Sequence, residues 1–504
     1  MRISDICASL FFSLVVKLFH RFVCQHSTFA QRIANLYVNP FSHIIRALLL
    51  LTLLAGGTNP AYSQDNTLAC IAAPPLPPPG DSIRVSTEQE LRWALGDVEA
   101  NTTIVLAPGT YNLSSTISIT ADNVTIRGEL DDCSSVRLVG PGMRNPDYGD
   151  VPHGFWIRAS NTTIANLTIS DVFFQTIAVD GNAYSPHIYN VRMLNPGTQF
   201  VKVNPIAFAN GVDDGVVEYS VMAFTDGPPT INRNNGGTGY TNGVDIHAGA
   251  DWRISNNRFS DFHTPDSADN LVNPAVLVWN GASGTITENN VFINVDRAIA
   301  YGLINRVHDH QGGVIRNNMI MQAPGLFSAQ RKTKSDASII VWDSPNTQIL
   351  HNTILNNGNS PNAIDLRWDT TNNEVSNNLT DAPIRHRDQR SFTSRDNITS
   401  AQADWFVDPP SGNLRLGSGV TTSIDVAQKH ELAPYDIDGF LRSDTNVNVG
   451  ANEQLGFTIA SANDESAFNG ASSGGGTMSV PHLAWLLLST IICLRSRARA
   501  TEKQ

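Results

Sequence analysis

Lysine is nearly absent from the body of this 504-residue chain. Between residues 64 and 476 it occurs only as Lys202, Lys332, Lys334 and Lys429. Basic side chains of both kinds are outnumbered there by acidic ones, 25 to 44, while residues 1–63 and 477–504 are basic. So acidic a body repels nucleic acid and anionic lipid, which excludes both as its partners. It repels an acidic polysaccharide too, unless a metal ion or local basic residues offset the field. Cysteine is equally scarce. Of five, only Cys70 and Cys133 lie in the body. In an oxidising compartment they form a disulfide joining the N-terminal cap to the first coils; otherwise they are two buried thiols. Helical periodicity is also missing from residues 100–400. A hydrophobic share of 41% and an aromatic share of 8% exclude a disordered chain and supply a sizeable core.

The two ends carry addresses. Ile44 to Ala55 is an apolar run followed by Ala61-Tyr62-Ser63, a small-x-small cleavage signal. Residues 1–63 are therefore expected to be a targeting segment, with Gln64 as the mature N-terminus and a Pro-rich linker over 64–80. At the other end, Ser472-Ser473-Gly474-Gly475-Gly476 precedes an apolar segment, Met478 to Leu494, that closes on Arg495, Arg497 and Arg499. A segment of that length can span a thin bilayer with its arginines on the cytoplasmic side. The order of glycines, short span and arginines resembles the GlyGly-CTERM sorting signals of Gram-negative bacteria. In that family a rhomboid-type protease cuts near the glycines and the product reaches the cell surface. A plain C-terminal membrane anchor over 477–504 is the alternative, and residues 455–476 read as a flexible linker. Either way the chain is expected to be exported and held at the cell envelope.

Between the ends one short pattern returns: an apolar residue, a variable one, Asn, two more, then an apolar residue. Copies include Ile164 to Ile169, Ile188 to Met193, Ile254 to Phe259, Ile315 to Ile320 and Ile349 to Ile354. The central column reads 123, 166, 190, 219 (a Tyr), 256, 289, 317, 351 (a His) and 377. A period of 20–30 residues with unequal insertions is the mark of a solenoid whose coils are strands and turns. Asparagine suits the turn, since it accepts strained backbone angles and its amide can bond the next coil. A propeller blade needs a longer and steadier period, and a β-sandwich does not explain the Asn column. The pattern resembles the pectate-lyase-like right-handed parallel β-helix proteins over residues 81–455. A capping helix over Thr87 to Leu95 fits that start, with Thr87 as N-cap and Glu90 closing a capping box. The expected fold is thus all-β: a parallel β-helix over 81–400, with a C-terminal module over 401–454. Within that module Asp436-Ile437-Asp438-Gly439 and Val449 to Glu453 resemble the final module of many surface-anchored β-helix proteins. Such a solenoid is expected as a monomer.

After each Asn motif a second strand can be aligned: Val201 to Asn204, Val244 to His247, Val276 to Trp279, Ile299 to Gly302, Ile339 to Trp342 and Ile364 to Arg367. Strands alternate faces. If the first residue of each points inward, Lys202, Asp245, Leu277, Ile340 and Asp365 point outward. So do Asn204, His247, Trp279, Gly302, Trp342 and Arg367. That row suits a sugar chain lying along the axis, with Trp279 and Trp342 as stacking platforms and Asn204 and Arg367 as polar contacts. The alternative is that the tryptophans form a satellite core under the insertions.

Lys202 is the one body lysine in an apolar strand. The resemblance to β-helix polysaccharide lyases implies a base that removes the C5 proton of a uronic acid, a task for Lys202 or His247. Asp245 beside Lys202 opposes that role for the lysine, and a lysine–aspartate pair that only stiffens the surface is the competing reading. Arg297 is a candidate carboxylate binder. His308 and His310, flanking Asp309, would face the same way on an extended segment and could supply acid–base groups. Asp343 and Asp365 are candidate ligands for Ca2+, which related lyases recruit to neutralise uronates. The stretch from Gly197 to Asp388 also resembles a group of bacterial β-helix proteins of unassigned activity that share the segments 242–247 and 279–281. The expectation is a surface polysaccharide-active protein, most concretely a uronate lyase. A non-catalytic glycan-binding or adhesion protein and a glycoside hydrolase are the alternatives, although no paired-Asp hydrolase motif is present.

Overall fold

A computed structural model describes residues 68–229, 237–418, 420 and 424–454. The targeting segment, the mature N-terminus at Gln64, the 455–476 linker and the 477–504 tail lie outside the described residues. Among the described residues no helix is long and apolar enough to cross a membrane.

The chain winds as a parallel β-helix. One wall is a ten-stranded parallel sheet, from Ile117–Ile119 at one end to Ile384–His386 at the other. The rest of each coil is two further strands meeting at a sharp corner, as in Arg253–Ser255 and Arg258–Ser260 around Asn256 and Asn257. Every coil pairs in parallel with the next, so its interior is a set of stacked apolar columns. Val201, Val244, Val276, Ile299, Ile339 and Ile364 form one such column and are all fully buried. Helix Glu88–Gly96 closes the first coil, with Thr87 as N-cap; Leu91 is buried, and Ala94 and Leu95 pack on the core. The Glu90 carboxylate accepts from the backbone of Ser86 at 2.7 Å, one residue before the cap, and from that of Thr87 as in a capping box.

The Asn column is the corner, and its two asparagines divide the work. The first of each pair adopts the left-handed backbone conformation: φ is 57° at Asn256, 55° at Asn289, 54° at Asn317, 52° at His351 and 61° at Asn377. Tyr219 holds the same place at 52°. The second points inward. Asn257, Asn290, Asn318, Asn352, Asn378 and Asn397 form a continuous ladder in which each amide donates to the next at 2.9–3.1 Å. Each Oδ1 also accepts the backbone N–H of the preceding rung, and Nδ2 reaches a carbonyl of the previous coil. In this way the inward amides of a buried corner find their partners within the protein. Asn123 does not belong to the column. Register places Gly128 beside Asn166, and Asn123 beside Asn161 at a different corner. Glycine is required there, since a Cβ at Gly128 would stand 2.1 Å from the carbonyl oxygen of Asn166.

Two segments are laid on the outside. Residues 68–80 run against the early coils, tied by the Cys70–Cys133 disulfide and by Arg127, which donates to the carbonyl of Pro77 at 2.7 Å. The C-terminal module covers outward apolar residues of the strands that follow the Asn corner: Ile293, Met319, Met321, Leu355 and Leu379. Buried Arg442 latches it, reaching Glu453 and, at 3.0 Å, Asn317.

Two predictions follow from the interior. Asn318→Ala strands its neighbours above and below and should cost about 3 kcal/mol in urea unfolding, whereas Asn256→Gly keeps the turn and should change stability by less than about 1 kcal/mol. Equal costs would sink the division of labour. The second concerns buried histidines. Burial lowers His153 to about 4 and His310 to about 3, and burial with Arg442 nearby holds His351 well below its ordinary value. Such a histidine binds its proton only in the unfolded chain. Stability is therefore complete above the unfolded value, about 6.5, and falls as pH drops below it, by up to about 1.4 kcal/mol per unit for each histidine. The urea midpoint should drop between pH 7 and pH 5, and His310→Gln should shrink that drop; an unchanged drop refutes the assignment.

Candidate functional site

The outward row assembles in the register read from the strands. Lys202 pairs with Asp245 and Asp245 with Leu277; His247 pairs with Trp279, and Trp342 with Arg367. The row is not uniform. Two charged stations stand at its ends, and an apolar floor lies between them.

At the first station Asp245 is fully buried, while the side chains of Lys202 and His247 keep 16% and 17% of their surface open. Lys202 Nζ lies 2.5 Å from Asp245 Oδ2 and 2.6 Å from His247 Nε2. The Trp279 indole N–H donates to Asp245 Oδ1 at 3.1 Å, and His247 meets the Trp279 ring edge-on at 4.6 Å. Burial opposes ionisation of Asp245. The charge of Lys202 and the bonds from His247 and Lys202 outweigh it and hold the carboxyl well below the usual range. The buried carboxylate therefore fixes the lysine, the indole and also the histidine, whose Nε2 lies 3.3 Å from Asp245 Oδ1. Arg306, not singled out with the row, stacks between Phe208 at 5.2 Å and Trp279 at 5.5 Å. It is held by Asp309 at 2.6 Å and by Asn280 at 3.0 Å.

At the second station arginines crowd one tryptophan. Trp342 is 7% exposed, and its indole donates to buried Asp365 at 2.9 Å. The guanidinium groups of Arg387, Arg367 and Arg297 lie 4.7, 5.4 and 5.7 Å from its ring centre. Trp342 is thus no open platform for a sugar: its face is covered by cations. Nor does Arg297 reach out as a carboxylate binder; it is buried and paired with Asp336 at 2.8 Å. Arg385 and Arg387 are spent on Asp365, at 2.7 and 3.1 Å. Arg367 differs from all of these. Its guanidinium packs on Trp368 at 4.3 Å and on Trp342, and it meets no carboxylate among the described residues. Four arginines thus face two aspartates, a local cationic surplus on an acidic body.

The floor between is Leu277, Ala300 and Ile340, buried with Ala337 and Trp342 under the half-covered Trp279, Leu303 and Trp368. The satellite core is therefore present, with Trp342 a buried member and Trp279 packed against it. Asn204 leaves the row, because its amide turns back to the carbonyl of Val179 at 3.1 Å.

The His-Asp-His segment separates rather than aligns. His308 takes a left-handed turn, φ 54°, and stays open beside Asp369 at 3.6 Å. His310 is fully buried between Ser344 and Thr285, 4.3 Å from the Tyr301 ring, out of reach of any substrate. Asp343 and Asp365 do not form a cation site together. Asp343 accepts backbone N–H groups of Arg306 and Asp309, and Asp365 is enclosed by two arginines and an indole. Among the described residues no group of three or more His, Cys, Asp or Glu could hold a metal. His351 bonds the carbonyl of Gly450 and the Asn377 amide, a structural place. A cavity of about 440 Å³ lined by Thr225, Asp261, His263 and Asn294 shares no residue with the row.

No protein-family model matches the chain, and no curated protein does. Solved structures similar to it include an alginate lyase from Paenibacillus sp. str. FPU-7, at 16% identity over 62% of this chain and 97% of that one, TM-score 0.41. Pectate lyase Pel9A is similar at 13% identity over 74% and 97%, TM-score 0.47. The A-module of the Azotobacter vinelandii mannuronan C-5 epimerase AlgE6 is similar at 13% identity over 62% and 87%, TM-score 0.37. At such identities and scores, the roles of Lys202, His247 and Arg367 rest on this chain's own geometry.

Proposed function

We propose that the chain is an exported, surface-associated polysaccharide-active protein whose outer sheet face binds an acidic glycan and cleaves it by β-elimination. The observation that carries this reading is the Lys202–His247 contact of 2.6 Å above a buried carboxylate, at the open edge of Trp279. An amine that shares its proton with Asp245 is poorly placed to act as base. His247, whose Nε2 lone pair is freed as Lys202 turns from it to the leaving oxygen, is the better acceptor for the C5 proton of a uronate. The C5–H electron pair then forms the C4=C5 double bond, the C4–oxygen bond breaks, and Lys202 supplies a proton to the leaving oxygen. Arg306, stacked on Trp279, is the cation nearest to a uronate carboxylate bound there.

A non-catalytic glycan-binding protein is the second reading, favoured by the tight Lys202–Asp245 pairing at 2.5 Å. Digestion of alginate, pectate and glycosaminoglycans, followed by the ultraviolet absorbance of the unsaturated product, separates the two. Lyase action predicts that chromophore, and a loss of at least about 100-fold in kcat/KM for His247→Ala and for Lys202→Ala. Binding that survives both substitutions with no product would establish the second reading instead, and reducing ends without the chromophore would indicate a hydrolase.

A further inference from the structure

We infer that the two stations act together as a ruler: the face engages an acidic chain of about five sugar units, with Arg367 anchoring a carboxylate remote from Lys202 and His247. This rests on the functional reading above and adds a length and a polarity to it.

The strand pairing sets the distance. His247 pairs with Trp279; the position after Tyr301 follows, then Trp342, then Arg367. These are four coil steps, and at roughly 4.8 Å per step they separate His247 from Arg367 by about 19 Å. A pyranose unit in an extended chain advances by about one such step. Two carboxylates on one extended glycan can therefore meet both stations only when about five units lie between and including them.

Three features favour that occupant. First, Arg367 is held ready but unpaired. Trp368 and Trp342 fix its plane, its Nε is buried without a partner, and every other arginine of the cluster is committed to Asp336 or Asp365. A guanidinium fixed flat by aromatic rings loses little freedom when its two terminal Nη groups bind a carboxylate through parallel N–H bonds. Second, no ionised group stands in the column between the stations: buried Leu277, Ala300 and Ile340 carry the part-exposed side chains of Trp279, Leu303 and Trp368. Those part-exposed side chains are the surface on which the apolar faces of sugar rings can lie, and the acids are left for the stations. Third, the long-range field of the acidic body disfavours a polyanion, so binding must come from stations local enough to overcome it. Two, well separated, do this through effective concentration: once one carboxylate is held, the second is presented to the other station without a further encounter.

The test uses the purified chain and size-defined oligouronates, from alginate and from polygalacturonate, of two to seven units. Binding by calorimetry and cleavage by product absorbance are both read. Affinity should rise by at least about tenfold between four and six units. Arg367→Ala should erase that rise while leaving dimers and trimers bound as before, and Arg367→Lys should restore only part of it. A smooth dependence on length, or a step that persists in Arg367→Ala, overturns the ruler alone. Failure of every length to bind overturns the functional reading and the ruler with it. An unchanged thermal midpoint in Arg367→Ala establishes that the face is intact.

Discussion

Everything in this molecule depends on each coil being held in register with the next. A one-residue slip in a strand would turn every outward side chain inward and bring Lys202 and Asp245 into the apolar column of Val201 and Val244. Parallel strands alone specify register weakly, because backbone pairing is indifferent to side chains. The asparagine ladder removes that freedom. Each inward asparagine from Asn257 to Asn378 sends two bonds, from its amide and its backbone N–H, to the Oδ1 of the next rung and one to a carbonyl of the previous coil, so a slip breaks several buried bonds. The insertions vary in length because they leave from other corners, as at 261–273 and 322–336, and not from the two-residue corner that carries the ladder.

Electrostatics on the outer sheet face follow a related logic. Buried Asp245 and Asp365 are each surrounded by cations and an indole N–H, so the carboxylates serve as fixed posts and the cations are what the face presents. An unpaired buried carboxylate would be expensive, and removing one partner of such a pair costs far more than the pair contributes. Tryptophan does similar work at both posts. Trp279 and Trp342 each donate to the carboxylate at their own station, and each carries an arginine on its face. The chain is acidic overall, with a formal net charge of −12, yet this surface is locally cationic because its acids are below and its bases above.

How much of this was legible in the sequence differs by residue. Alternation and a recurring Asn were enough to place Lys202 next to Asp245 and Trp342 next to Arg367, residues 43 and 25 apart, because both signals repeat with the coil. The first coil misled, since Asn123 offers the right residue at the wrong corner while Gly128 carries the position without an amide. Legibility failed wherever a side chain's surroundings come from outside its own strand. Trp342 points outward as alternation says, but Arg387 arrives from another coil and covers it, and Asp336, from another coil again, takes up Arg297. His308 and His310 share a spacing that would align them on a strand. A left-handed turn at His308 rotates the chain between them, leaving one on the surface and the other in the core.

The placement of the C-terminal module bears on which wall of the coil stays open to solvent. A solenoid wall that exposes apolar residues has to be covered, and the module does this for Met319, Met321, Leu355 and Leu379, latched by buried Arg442. The N-terminal strap, pinned by Cys70–Cys133, takes another stretch near the first coils. Neither lies on the Lys202–Arg367 row, whose apolar column is roofed by its own tryptophans and Leu303 rather than by an added segment. Those roofing side chains keep part of their surface in water, and the ionised groups at either end need no cover. The wall left open is therefore the one whose own side chains make exposure tolerable, and it is also the one on which cations, indoles and a histidine converge.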